Sequence, residues 1–303
     1  MLRKRRQEQN AYFYIGTAIF LWSTVASAFK LALRNMDYIT VLFYACLTSL
    51  SALFLIVLFS GRLMLLLQQT VKTIALSAVF GLISPFAYYL VLLKVFSVLP
   101  AQEALILNWT WPLVLSFLSA PLLNQKLNRR SFPALILCFI GVIVIAVKGN
   151  FYSFQFTNMK ADAAALLSSF IWAIFWILNV WDERDQIVKL FFSFLFGTIY
   201  ITILCLLLDK FQTPDRFSLY SSIYLGLFEM GVTFLFWLSA LTILKDNSKA
   251  ANFAYLTPFL SLVVISVVLR EQIHYSSILG LSLIICGILL QNVRSGRHRQ
   301  YRE

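Results

Sequence analysis

Apolar residues in this chain come in blocks of about twenty, separated by short polar intervals, and a helix needs that length to cross a hydrocarbon core of about 30 Å. Ten blocks fall at 11–33, 38–60, 72–97, 100–122, 131–148, 161–181, 187–208, 219–243, 248–269 and 273–292. The pattern predicts an all-α membrane protein with ten transmembrane helices. The first block follows Arg3-Lys4-Arg5-Arg6 and runs from Ala11 to Phe29. That is too long for the core of a cleaved signal peptide, so it reads as a permanent span. The connections are short, and the longest, Lys148 to Lys160, is the natural midpoint.

An internal repeat divides the chain there. Pro112 matches Pro258, Gln125 matches Glu271 and Gly141 matches Gly287, all at an offset of 146. Trp22 matches Trp172 at an offset of 150, so a short insertion lies between them. The halves are 1–149 and 150–303, with five spans each. Five is odd, so the second half must enter the membrane the opposite way up. Two inverted five-helix repeats around a central cavity form a recurring transporter architecture, with the substrate site near the midplane.

Charge sets the orientation. Lys and Arg divide 17 to 8 between the two sides of the predicted spans, with both termini on the richer side. The excess belongs in the cytoplasm. The expectation is a multi-pass protein of the bacterial inner (plasma) membrane with both termini cytoplasmic. The net charge of +12 reflects this bias, and no nucleic-acid partner is expected. The composition agrees: 60% of residues are hydrophobic and 13% charged, against roughly 25% charged in a soluble domain. Cys46, Cys138, Cys205 and Cys286 all fall inside spans without CxxC spacing, so they read as packing residues. No metal or cofactor is expected. His274 and His298 lie outside the predicted membrane core and no aspartate sits deep in a span, which argues against an intramembrane enzyme.

The candidate chemistry concentrates on a few helix faces. The stretch from Glu103 to Pro112 holds a carboxylate, a carboxamide, two indoles and a proline inside an apolar block. Asn108, Trp111 and Leu115 share one face of it. Pro112 removes the amide that would bond back to Asn108, and broken backbone at membrane depth is tolerated only against protein or a watery cavity. Span 6 aligns Trp172, Trp176 and Asn179; span 8 aligns Glu229, Thr233 and Trp237. In span 3, Pro85 precedes the pair Tyr88-Tyr89, and in span 9, Tyr255 and Thr257 precede Pro258. Trp22 stands beside a polar line of Ser23, Ser27 and Lys30. Trp22, Trp111 and Trp172 lie near mid-span, away from the interfacial belts where indoles usually anchor. Ala250, Ala254, Thr257 and Ser261 form a small-residue stripe suited to close helix packing. Glu229 is the most informative charge, because a carboxylate near mid-membrane is costly and marks function by default.

With two five-span halves, Trp22-Ser23-Thr24 in span 1 and a proline-bearing helix late in each half, the chain resembles the drug/metabolite transporter superfamily, in its ten-helix EamA-type branch. In each half the proline helix leads to a polar turn and a glycine-bearing last span, Gln125 then Gly141 and Glu271 then Gly287. Within that superfamily, Glu103 followed by Asn108-Trp109-Thr110-Trp111-Pro112 is similar to span 4 of the bacterial aromatic amino acid exporters. Gly231 with Trp237 is similar to their span 8. The resemblance implies a basket-like bundle with a cavity lined by spans 1, 3, 4, 6, 8 and 9. A charged Glu229 departs from that exporter pattern and leaves substrate choice and proton coupling open.

The reading is a secondary transporter that moves a small metabolite by alternating access, an exported aromatic or other apolar amino acid first. Trp22, Tyr88, Trp111, Trp172, Trp176, Trp237 and Tyr255 would give aromatic contacts. Asn108, Asn179, Thr233 and Thr257 would give hydrogen bonds, and Glu229 a partner for a cation. Pro85, Pro112 and Pro258 would be hinges. The partners expected are a small-molecule substrate and the lipid bilayer, with the protein a monomer. A nucleotide-derived metabolite, a cofactor or a drug is the alternative cargo.

Overall fold

Helix-start signals are written plainly into the chain, and a computed structural model, which describes residues 2–122, 131–148, 158–243, 254 and 256–292, uses them. Asp37, Asn158, Asp185 and Asp215 each accept hydrogen bonds from amides of the following turn, and Thr70 does the same for Thr73. Such caps satisfy N–H groups that have no partner inside the helix.

Among the described residues every regular element is helical. Helix α1 (Leu2–Ala32) is followed by α2 (Tyr38–Phe59), the short α3 (Leu63–Leu67) and α4 (Val71–Gly81). A π-helical turn (Leu82–Ala87) carries α4 into α5 (Tyr88–Val98). Then come α6 (Ala101–Asn108), α7 (Trp111–Leu122), α8 (Ser131–Ala146), α9 (Met159–Trp181) and α10 (Gln186–Leu207). Helix α11 (Arg216–Tyr224) passes through a π-helical turn (Leu225–Glu229) before α12 (Val232–Ile243). Helix α13 (Leu256–Val264), its own π-helical turn (Ile265–Leu269) and α14 (Tyr275–Asn292) complete the order.

The chain is a multi-pass membrane protein. Five stretches are long and apolar enough to cross a bilayer unbroken: Asn10–Ala32, Tyr38–Phe59, Val71–Val98, Met159–Asn179 and Gln186–Leu207. Other blocks read as single spans are interrupted. The block at 100–122 breaks between Asn108 and Trp111, where Pro112 brings no N–H to the Asn108 carbonyl. The block at 219–243 breaks at Met230-Gly231.

Close helix crossings recur in matched pairs. Helix α8 lies along α14, and a Cβ at Gly141 would stand 2.7 Å from the Gly280 carbonyl oxygen. One at Gly287 would stand 2.8 Å from the Ala134 carbonyl oxygen, and the Cys138 Sγ donates to the Ile284 carbonyl at 3.3 Å. Moving each residue to its counterpart at the 146-residue offset turns the first crossing into the second. The same exchange relates α4 to α11: Gly81 abuts the Ser193 carbonyl of α10, and Gly226 abuts the Ala45 carbonyl of α2. In both pairs a missing side chain lets backbones approach.

A polar clasp ties α4 to the turn between α9 and α10. Arg184 forms an ion pair with Asp182 at 2.6 Å and donates to the Thr73 carbonyl at 3.0 Å and the Ser77 hydroxyl at 2.9 Å. Burial pushes the Asp182 carboxyl up, but the hydrogen bonds and charge of Arg184 outweigh it and hold the carboxyl below its ordinary range. A depressed carboxyl stabilises the fold above its unfolded value and loses that contribution as pH falls. Arg184→Met is therefore expected to cost roughly 1.5–3 kcal/mol, read as a lower unfolding midpoint in detergent at neutral pH. The gap to the parent should narrow in acid. An unchanged midpoint would mean the clasp contributes nothing.

Candidate functional site

Where the broken helix α6–α7 faces α1, α5, α9 and α12, the bundle encloses a cavity of about 390 Å³, within the roughly 300–1,000 Å³ usual for small-molecule sites. Its wall is mostly aromatic. The Tyr88 ring stacks on Trp172 at 4.5 Å, and Trp176 meets Trp172 edge-on at 5.9 Å. Trp22 lies 5.4 Å from Trp237 and 6.1 Å from Phe234. Offset and edge-on arrangements of this kind suit the ring quadrupoles, so the wall is firmly built.

Polar groups enter this wall in two ways. Some are already fully engaged. Asn108 accepts from the Tyr88 hydroxyl at 3.3 Å and donates to the Ser168 hydroxyl at 2.9 Å, which locks its orientation between α5 and α9. Next to it, Thr110 bonds the Ser169 hydroxyl at 3.1 Å and so holds the break in α6–α7 to α9. Others retain capacity. Glu229, at the end of the π-helical turn before α12, accepts at one oxygen from the Tyr89 hydroxyl at 3.1 Å. Among the described residues, the buried Trp176 indole N–H and Thr257 hydroxyl have no hydrogen-bond partner. Both side chains line the cavity. Buried polar groups left this way are costly unless a ligand or water completes them.

Of the residues singled out from spacing, Trp22, Tyr88, Asn108, Trp111, Trp172, Trp176, Glu229, Trp237 and Thr257 stand on the cavity wall, together with Pro112. Asn179 is one helical turn beyond it and bonds the Phe175 carbonyl of its own helix at 2.9 Å. Thr233 is fully buried, and its hydroxyl donates to the Phe228 carbonyl across the Met230-Gly231 break. Pro85, packed against Gly197, and Pro258 are buried away from the wall. Tyr255 lies outside the described residues.

Spacing overlooked several wall residues. Val25, Ala26 and Phe29 continue the face of Trp22 at helical intervals. That periodicity was available, but the polar neighbours Ser23 and Ser27 drew attention to the adjacent face. Phe234 completes the aromatic wall from α12. Tyr89 holds Glu229 from beside Tyr88, and sequence alone gives adjacent tyrosines no separate roles.

The sequence profile of the EamA-like transporter family matches residues 9–147 and again 159–293. An uncharacterized transporter of Archaeoglobus fulgidus is 24% identical over 178 residues, covering 57% of this chain and 61% of that protein. A Bacillus subtilis protein, the uncharacterized transporter YoaV, is 23% identical over 64% of this chain and 67% of its own length. A Streptantibioticus cattleyicolor protein named a probable terminal-alkyne amino-acid exporter is 27% identical over 66% of this chain and 67% of its own. The chain therefore matches about three fifths to two thirds of these relatives' lengths. A solved crystal structure shares the fold at a TM-score of 0.64, covering 93% of this chain and 96% of that one at 18% identity.

Proposed function

The chain belongs to the EamA-like transporter family, of the drug/metabolite transporter superfamily, and from that premise we infer that it is a transporter rather than an enzyme, exporting an aromatic or other apolar amino acid across the inner membrane. One observation carries this reading. A carboxylate, an unbonded indole N–H and an unbonded hydroxyl stand on an otherwise aromatic wall. An amino acid complements that set. Its ammonium group takes Glu229, its carboxylate takes the free donors, and its side chain packs against Trp22, Trp172 and Trp237. The name of the Streptantibioticus relative points the same way.

The architecture we read is two inverted five-span repeats, 1–149 and 150–303, with both termini cytoplasmic. The matched crossings of α8 with α14 and of Gly81 with Gly226 support it, as does the separate match of the family profile to each half. Alternating access then follows from rocking one repeat against the other. Pro112 is the hinge on the cavity wall, and Pro85 and Pro258 are hinges behind it.

Counterflow in proteoliposomes tests the substrate. Labelled tryptophan, phenylalanine and leucine should accumulate over labelled lysine, and empty liposomes should accumulate none. Failure of all four with folded protein would remove the amino-acid reading and leave the family assignment intact.

A further inference from the structure

Two buried carboxyl groups meet at the end of the bundle where α6 and α9 begin. Glu103 lies in the first turn of α6 and is 3% exposed; Asp162 lies in the first turn of α9 and is 6% exposed. The Asp162 carboxyl is hydrogen-bonded to the Glu103 carboxyl. Among the described residues, no N–H or O–H donor reaches either Asp162 oxygen. An ionised carboxylate has only lone pairs, so two of them in hydrogen-bond contact must hold a proton between them. The arrangement favours a single negative charge. Each acid sits at a helix N-terminus, which stabilises an anion, and Lys148 just beyond α8 acts electrostatically on Asp162.

The same layer fastens α6 on its other side. The Gln102 amide donates to the Gln272 carbonyl at 2.9 Å, and its oxygen accepts from the His274 amide at 3.1 Å and the Ser277 hydroxyl at 2.7 Å. Glu271 accepts from the Ala101 amide at 3.1 Å. The remaining ionisable groups on elements packed against α6 and α9 are Lys30 of α1, Lys94 of α5 and Lys160 of α9. Lys30 is engaged electrostatically with Glu271, and Lys94 lies over the Tyr38 ring at 5.0 Å. Both sit on other partners, so Lys148 remains the cation facing the pair. Leu105, two residues after Glu103, is on the cavity wall. The start of α6 is therefore the piece whose withdrawal would open the cavity at this end.

We propose that Glu103 and Asp162 bind one proton between them and form a pH-sensitive fastening of this end of the cavity. Loss of the proton leaves two buried carboxylates in contact, which separates α6 from α9 and admits solvent. The proposal rests on the transporter reading only for its role in a transport cycle. The proton and the fastening are properties of the fold, and both can be tested without substrate.

Infrared spectroscopy of the purified protein tests the proton. A protonated-carboxyl band should vanish on going from about pH 6 to about pH 9, and the same band should be absent from both Glu103→Gln and Asp162→Asn. Labelling of Leu105→Cys by a membrane-impermeant maleimide tests the opening, with the parent chain as a blank and a free thiol as the standard at each pH. Relative to that standard, labelling should rise roughly tenfold over the same range. Adding Asp162→Asn should remove the rise, because the amide donates to Glu103 with no proton to lose. Glu103→Gln is the second such variant should Asp162→Asn fail to fold. Absence of the band in the parent, or the same pH-dependence in a folded amide variant, overturns the proposal. Failed counterflow beside a positive band and labelling result removes the substrate reading alone. Counterflow with no band removes the fastening alone.

Discussion

Glu229→Gln is expected to reduce transport of an amino acid by roughly ten- to a hundredfold, read as a higher KM in counterflow. The estimate follows from a charge-assisted hydrogen bond to the substrate ammonium, about 1.5–3 kcal/mol, at about 1.4 kcal/mol per factor of ten. The change is conservative in shape. Its amide oxygen still accepts from the Tyr89 hydroxyl, which now donates to Glu229 at 3.1 Å, so the fold and the wall should persist. Deaminated analogues of the same substrates give the needed contrast. They lack the ammonium group and should lose little or no transport in the variant. Equal transport of the intact amino acid by parent and variant would separate Glu229 from the ammonium group and leave it a structural partner of Tyr89.

The largest effect on folding is expected at Gly226. A Cβ there would collide with the Ala45 carbonyl oxygen, stand 2.7 Å from the Thr48 Cβ and 3.1 Å from the Ser49 amide nitrogen. Two of these three are backbone atoms of α2 and cannot rotate away, so Gly226→Leu must push apart the helices. Overpacking of this kind typically costs about 1–3 kcal/mol, occasionally more. With a long side chain at a backbone crossing, the high end applies. The variant should lose its monodisperse peak in detergent or unfold many degrees earlier than the parent. Gly81→Leu should do the same at the Ser193 and Gly197 backbone. Gly16 has nothing within 4 Å of a built Cβ, so Gly16→Leu should fold normally. A well-behaved Gly226→Leu protein would mean that α2 and α11 do not cross closely, and would weaken the paired-repeat reading with it.

Much of this molecule was legible in one dimension because a bilayer imposes a simple rule. A segment that crosses it must be apolar for about twenty residues and must satisfy its own backbone. Block length therefore placed the helices, and Pro112 announced the break that separates α6 from α7. Helical spacing put Trp172 and Trp176 on one face, and both stand on the cavity wall. Periodicity had less to say about where a face ends. It grouped Asn179 with the two indoles, but the helix leaves the cavity before reaching it, and the side chain turns to its own backbone.

What the sequence by itself determined is the class of molecule, the placing of its apolar segments and the residue types available for chemistry. Those depend on local composition and on intervals of three or four residues along one helix. What only the tertiary structure decided is which groups are satisfied and by whom. Thr233 spends its hydroxyl on the Phe228 carbonyl, whereas Thr257 leaves its own unbonded. Tyr88 and Tyr89 are neighbours in sequence, but one holds Asn108 and the other Glu229. Glu103 meets Asp162, and Gly226 meets Ala45, across long separations along the chain. Hydrogen bonds and close packing act over a few ångströms in space, and no spacing rule within a single helix encodes which two distant helices will be brought that near.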